Sequence, residues 1–176
     1  MTIPNLITIG RLLLVPAVIM MIVQRNWQAA FGLFVLAGVS DAIDGFIARR
    51  FDLRSELGAY LDPIADKALL VSIYMALAIV GIIPAWVAIL VVSRDIMIVS
   101  GVILSWLLDN PLEMRPFLVS KLNTFAQIAF AAGLLAAKAF DVSLGFWFEW
   151  SMWSIAALTL ASAAAYLAFW LRHMAG

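Results

Sequence analysis

The sequence contains no cysteine. Disulfides, thiol nucleophiles and sulfur-ligated metals are thereby excluded, and the redox compartment is left open. It contains one histidine, His173, three residues from the end. A histidine-based acid–base mechanism has no other residue to draw on, and His173 reads as a solvated tail residue. Charge is scarce as well. Only 12% of residues are Asp, Glu, Lys or Arg, against about 25% in a soluble domain. Formal net charge is zero, so nucleic acid finds no basic footprint. No GxxxxGK[ST] stretch occurs, which excludes P-loop nucleotide chemistry. The opening MTIPNLITIGRLLLVP has no basic region ahead of its apolar run. It reads as a first membrane helix and not as a cleaved signal.

What the sequence has in excess is apolar surface: 65% hydrophobic residues and a mean hydropathy of +1.06. That composition predicts an integral membrane protein. Several apolar stretches approach the roughly 20 residues needed to cross about 30 Å of hydrocarbon, and the chain reads as six helical segments. They cover about residues 5–24, 27–50, 58–80, 84–108, 118–138 and 150–171. The expected fold is all-α, a single domain over residues 1–176 built as a bundle of six transmembrane helices. Pro16 is expected to kink the first helix. Trp147, Trp150 and Trp153 suit a membrane interface. Arg49, Arg50 and Arg54 follow the second run, Arg115 and Lys121 follow the fourth, and Arg172 lies near the end. The opposite side carries only Arg25 and Lys138. The positive-inside rule therefore puts the loops after the second and fourth runs, and both termini, in the cytoplasm.

Charge is concentrated in one stretch. Residues 41–66 hold six of the eleven acidic residues. Asp41 and Asp44 are three apart, and Asp62 and Asp66 four apart, so each pair shares one helix face. A short connection makes the second and third runs antiparallel neighbours. Asp41 lies 14 residues from Trp27, and Asp66 lies 14 from Val80. At about 1.5 Å per residue, both sit roughly 21 Å from the outer ends. Asp44 and Asp62 fall about one turn nearer the cytoplasm. Two layers of carboxylates are expected just inside the cytoplasmic surface.

Four carboxylates in a small volume repel, and in a low-dielectric setting they demand protons or a cation. All-oxygen ligation favours a hard divalent ion such as Mg²⁺, Mn²⁺ or Ca²⁺, and four acids could hold two. Two metals can neutralise a transferring phosphoryl group and its leaving oxygen. Gly45 and Gly58 let a bulky ligand approach the backbone. Arg49, one turn beyond Gly45, suits phosphate oxygens. Together these suggest a diphosphate-bearing nucleotide. A divalent-cation transporter would also need intramembrane acids, but it predicts a polar path across the whole membrane and often an internal repeat. The acids here cluster near one surface and no repeat is visible. A scaffold protein would need no ordered acidic constellation.

The stretch reads D-x2-D-G-x2-A-R-x8-G-x3-D-x3-D, filled by Asp41, Asp44, Gly45, Ala48, Arg49, Gly58, Asp62 and Asp66. It resembles the signature of the CDP-alcohol phosphatidyltransferases at every position. That resemblance implies a six-helix membrane enzyme, often a homodimer, that moves a phosphatidyl group from a CDP-linked lipid to a hydroxyl and releases CMP. It implies that Asp41, Asp44, Asp62 and Asp66 bind Mg²⁺ or Mn²⁺, as two ions, and that Asp66 is also the general base. The CDP-lipid would meet Asn5, Thr8, Asp41, Gly45, Ala48, Arg49, Gly58 and Asp62. Asn5, Thr8 and Arg11 are the polar members of IPNLITIGRLLLVP, which is similar to the amino-terminal stretch of the glycerophospholipid branches. VVSRDIMIVSGV and SKLNTFAQ look most like the branch of CMP-forming cardiolipin synthases, whose acceptor is phosphatidylglycerol. A rival branch uses glycerol 3-phosphate and typically carries Glu where Asp95 stands.

Arg94, Arg115 and Lys121 are the candidates to hold the acceptor's phosphate. Arg94 lies deep in its run and needs a partner, either that phosphate or a carboxylate of the acidic cluster. Ser120, Asn123 and Gln127 form one polar stripe, which helix–helix hydrogen bonding could also explain. The expected setting is a bacterial inner membrane with the active site facing the cytoplasm. The expected partners are CDP-diacylglycerol, a phospholipid or glycerophosphate acceptor and membrane lipids.

Overall fold

The computed structural model describes the backbone of residues 3–50, 56–107 and 118–175. Among these residues there are six α-helices and no strand. They are α1 (Ile3–Val23), α2 (Trp27–Arg50), α3 (Glu56–Ile79), α4 (Ala85–Leu107), α5 (Leu118–Ala139) and α6 (Gly145–Ala175). The all-α expectation is met, and five of the six starts and five of the six ends fall close to the expected ones. α1 runs on through Pro16 without interruption. Two helical stretches, Leu118–Ala139 and Gly145–Arg172, are long and apolar enough to cross a membrane by length and composition.

Three helices end on the same backbone device. After α1, Asn26 N–H donates to the Met21 carbonyl (2.9 Å) and Arg25 N–H to that of Ile22 (3.0 Å). After α3, Ile82 N–H donates to Leu77 and Gly81 N–H to Ala78. After α5, Val142 N–H donates to Ala137 at 2.8 Å. This pairing satisfies carbonyls that a helix end leaves orphaned, and it needs one residue in the left-handed region. That residue is Arg25 (φ 58), Gly81 (φ 77) and Asp141 (φ 53) in turn. Asn26 then starts α2, its Oδ1 accepting from Ala29 N–H.

α6 differs from expectation: it starts at Gly145, five residues before the expected start near 150. Residues 146–149 are aromatic and acidic, a composition that suits a connection as well as a helix. The turn at Asp141 closes within three residues of Ala139, so nothing keeps the chain from re-entering a helix at once. Phe146 then meets Trp150 one turn on, the rings tilted by 55° with centroids 5.5 Å apart.

The chain divides into two compact units. The first comprises residues 1–83 and 131–144, the second 84–130 and 145–176. In the first unit α1 packs on both α2 and α3. Arg11, Val18 and Ile22 form the buried stripe of α1, and Ala30 and Ala37 are buried on α2. Small residues at such a contact let two backbones approach closely. α3 buries Leu69, Leu70, Ile73, Tyr74 and Leu77, which recur every three or four residues on one face. In the second unit α4 packs on α6. Here the buried stripes turn polar partway along. α4 buries Val87 and Val91 and then Arg94 and Asp95; α6 buries Met152, Ile155 and Ala156 and then Thr159, Ser162 and Tyr166.

Candidate active site

The eight motif positions fall on two helices. Asp41, Asp44, Gly45, Ala48 and Arg49 lie on α2, and Gly58, Asp62 and Asp66 lie on α3. Helical backbone through both halves keeps the three- and four-residue spacings that put each pair of acids on a common face. Asp41 is the motif acid whose side chain is described. Those of Asp44, Ala48, Arg49, Gly58, Asp62 and Asp66, and of Asn5 and Thr8 on α1, lie outside the described residues, as does Arg115 altogether. The two-layer arrangement of carboxylates rests on those side chains.

Asp41 is held from α1. Arg11 Nη1 donates to Asp41 Oδ1 at 2.6 Å. The two partners differ in their surroundings: the Arg11 side chain is 1% exposed and that of Asp41 46%. The pairing follows from register. α1 and α2 are joined by a three-residue turn and pack on each other, so they run antiparallel. From Arg11 to Ile22 is 11 residues, and from Ala30 to Asp41 is also 11. Residues that end equal stripes on an antiparallel pair meet. Sequence reasoning singled out Arg11 as polar but gave it no partner. The signal was there: a guanidinium inside an apolar helix must find an acceptor.

The donor chemistry suits a hard cation. A half-exposed carboxylate anchored by one oxygen, on a helix whose next motif acid is one turn away, is an oxygen donor of the kind that Mg²⁺ and Mn²⁺ take. The rest of the motif's acids are carboxylates too, so the set is all-oxygen.

Arg94 lies elsewhere, in the second unit. It is 4% exposed, and all three of its nitrogens are engaged. Nη1 pairs with Asp95 Oδ1 at 2.5 Å, Nε donates to Ser162 Oγ at 3.1 Å, and Nη2 donates to Ser162 and to Ser120. Its guanidinium carbon lies 5.8 Å from the centre of the Tyr166 ring. Among the described residues, the carboxylate partner of Arg94 is its own neighbour Asp95. The polar stripe of α5 serves the same helices. Gln127 Nε2 donates to Thr159 Oγ1 (3.2 Å), and Thr159 Oγ1 donates to Asn123 Oδ1 (2.9 Å). Arg94 therefore ties α4 to α5 and α6 instead of presenting a free cation. Lys121, one residue beyond Ser120, is exposed.

A family model for CDP-alcohol phosphatidyltransferases matches residues 1–169. The chain is 32% identical over 179 residues to "Cardiolipin synthase (CMP-forming)" of Homo sapiens, covering 93% of this chain and 59% of the relative. The Rattus norvegicus protein of the same name matches equally, with 32% identity, 93% and 59%. A third relative, "CDP-diacylglycerol--glycerol-3-phosphate 3-phosphatidyltransferase 1, chloroplastic" of Oryza sativa subsp. japonica, is 31% identical over 184 residues, covering 94% of this chain and 56% of its own. The chain thus spans somewhat over half the length of these curated relatives. With the family model spanning nearly the whole chain and the motif intact on α2 and α3, the chain belongs to the CDP-alcohol phosphatidyltransferase family.

Proposed function

We propose that this chain transfers a phosphatidyl group from CDP-diacylglycerol to a hydroxyl of phosphatidylglycerol, with cardiolipin and CMP as products. The observation that carries the reading is the family match over residues 1–169, with the complete motif between Asp41 and Asp66 on two helices. The choice of acceptor is supported by the names of the human and rat relatives.

The reading gives each residue a task. The Asp66 carboxylate takes the proton of the acceptor hydroxyl. The freed oxygen bonds to the lipid-side phosphorus, and the bond from that phosphorus to the bridging oxygen breaks. That electron pair leaves with CMP. Asp41, Asp44, Asp62 and Asp66 would hold two ions of Mg²⁺ or Mn²⁺, which when bound neutralise the diphosphate and the leaving phosphate. Gly45, Ala48, Arg49 and Gly58, with Asn5 and Thr8 from α1, would cradle the CDP-lipid. Lys121 and Arg115 would meet the acceptor's phosphate. The engagement of Arg94 with Asp95, Ser120 and Ser162 supports an anchoring role for it instead.

The six helices would all cross the bilayer, with the motif at the cytoplasmic face. The lengths support this: the shortest, α1, has 21 residues, about 32 Å at 1.5 Å per residue, against roughly 30 Å of hydrocarbon. The enzyme would work as a homodimer, in a bacterial inner membrane.

A second reading takes glycerol 3-phosphate as acceptor, favoured by the name of the rice relative. Both acceptors carry a hydroxyl and an anionic phosphate, so charge does not separate them. The test gives the purified protein CDP-diacylglycerol with each acceptor in turn and identifies the lipid product by mass. Cardiolipin from phosphatidylglycerol is expected. Phosphatidylglycerophosphate from glycerol 3-phosphate, with no cardiolipin, would replace the first reading with the second.

A further inference from the structure

Among the described residues Arg11 heads the large, fully buried side chains, yet packing does not require a charge at its position. It continues a stripe whose other members are Val18 and Ile22, and an apolar side chain there would extend the same contact with α2. Burying a guanidinium is costly, and replacing a buried ion pair by apolar groups is often neutral or stabilising. Its partner, moreover, is not buried. Asp41 keeps 46% of its side chain exposed, so α2 does not need this carboxylate to pack. What the pair does achieve is geometric. A rigid fork anchored in α1 commits Oδ1 of Asp41 and thereby fixes where its other oxygen points.

We propose that Arg11 is a positioning residue of the metal site, fixing Asp41 through Oδ1 so that Oδ2 meets the divalent cation. The proposal rests on the reading of Asp41 as a metal ligand. Ligating carboxylates are oriented by outer partners, and losing such a partner typically costs 10–100-fold in metal affinity. Arg11 is that partner for the first acid of the motif. It acts from a helix that carries no motif acid, which makes the seating of α1 against α2 part of the metal site.

The test is Mn²⁺ binding to the purified protein in lipid nanodiscs, read from the electron paramagnetic resonance signal of free Mn²⁺, with no substrate present. Arg11→Met is expected to raise the Mn²⁺ Kd by about 10–100-fold. Arg11→Lys keeps the charge without the fork and is expected to raise it several-fold. The unfolding midpoint in chelator should stay near that of the wild type for both variants. In an Asp41→Asn background, Arg11→Met should weaken the residual Mn²⁺ binding no further. Wild-type Kd in Arg11→Met overturns the proposal, and so does an equal loss from Arg11→Met with and without Asp41. Should Arg11→Met fail to fold, a wild-type Kd in Arg11→Lys overturns it. A wild-type protein that binds no Mn²⁺ sinks the metal reading itself, and the role of Arg11 falls with it.

Discussion

Arg94→Met is expected to unfold the second unit before it alters the reaction. The substitution keeps the length of the side chain and removes its charge. It takes from Asp95, which is 7% exposed, the guanidinium 2.5 Å away. Removing one member of a buried ion pair costs about 3–5 kcal/mol. The hydroxyls of Ser120 and Ser162 lose donors as well, but a helical serine can turn to a carbonyl one turn back. Their share should be near the average of about 0.6 kcal/mol for a hydrogen bond between membrane helices. The single variant should therefore lose about 3–5 kcal/mol. Arg94→Met with Asp95→Leu removes both charges and should recover most of that loss, ending within about 1–2 kcal/mol of the wild type. The assay is reversible unfolding in mixed micelles titrated with a denaturing detergent, followed by acceptor kinetics on the folded fraction. KM for phosphatidylglycerol should barely move. An Arg94→Met protein of wild-type stability with a sharply raised acceptor KM would refute the anchoring argument and return Arg94 to the acceptor site. A double variant as unstable as the sum of its singles would refute the ion-pair account.

Asp41→Asn, Asp44→Asn and Asp62→Asn should each lower turnover by more than about 100-fold, since even outer partners of a metal cost 10–100-fold; chelator should do the same to the wild type, with activity returning on Mg²⁺ or Mn²⁺. Asp66→Asn should retain CDP-lipid binding by calorimetry while losing about 10²–10⁴-fold in kcat, the usual range for a general base. Equal loss of binding and turnover would reduce Asp66 to a metal ligand. Thr159→Val removes a buried hydroxyl that both accepts from Gln127 and donates to Asn123; a loss of about 1–3 kcal/mol is expected in the same unfolding assay.

The helices were legible because their signal is local. Apolar runs of about twenty residues need no tertiary knowledge, and Gly81 with Pro84 marks a turn by chain geometry alone. The start of α6 was missed because its first turn, Phe146 to Glu149, is aromatic and acidic. Only the tight turn at Asp141 makes room for it. The spacing of the motif acids was legible for the same local reason: three- and four-residue spacing is a property of one helix. Their support was not. Arg11 meets Asp41 only through the register of two helices, 30 residues apart in sequence. Arg94 takes Asp95 and the α5 and α6 hydroxyls, where depth and charge alone left an acceptor phosphate or a cluster carboxylate equally open.

The order in which the two units are completed has a consequence during synthesis. Residues 131–144 complete the first unit, and residues 145–176 the second. A nascent chain stopped at residue 130 has therefore finished neither. The guanidinium of α4 waits longest, because Ser162 lies 68 residues downstream. At translation speeds of about 5–20 residues per second, that wait is roughly 3–14 s. Through it, α4 carries Arg94 and Asp95 while the α6 partners have not yet been made. A message truncated before α6 would leave that charge pair without Ser162 and Tyr166, so the last helix is what finishes the burial of a charge made 68 residues earlier.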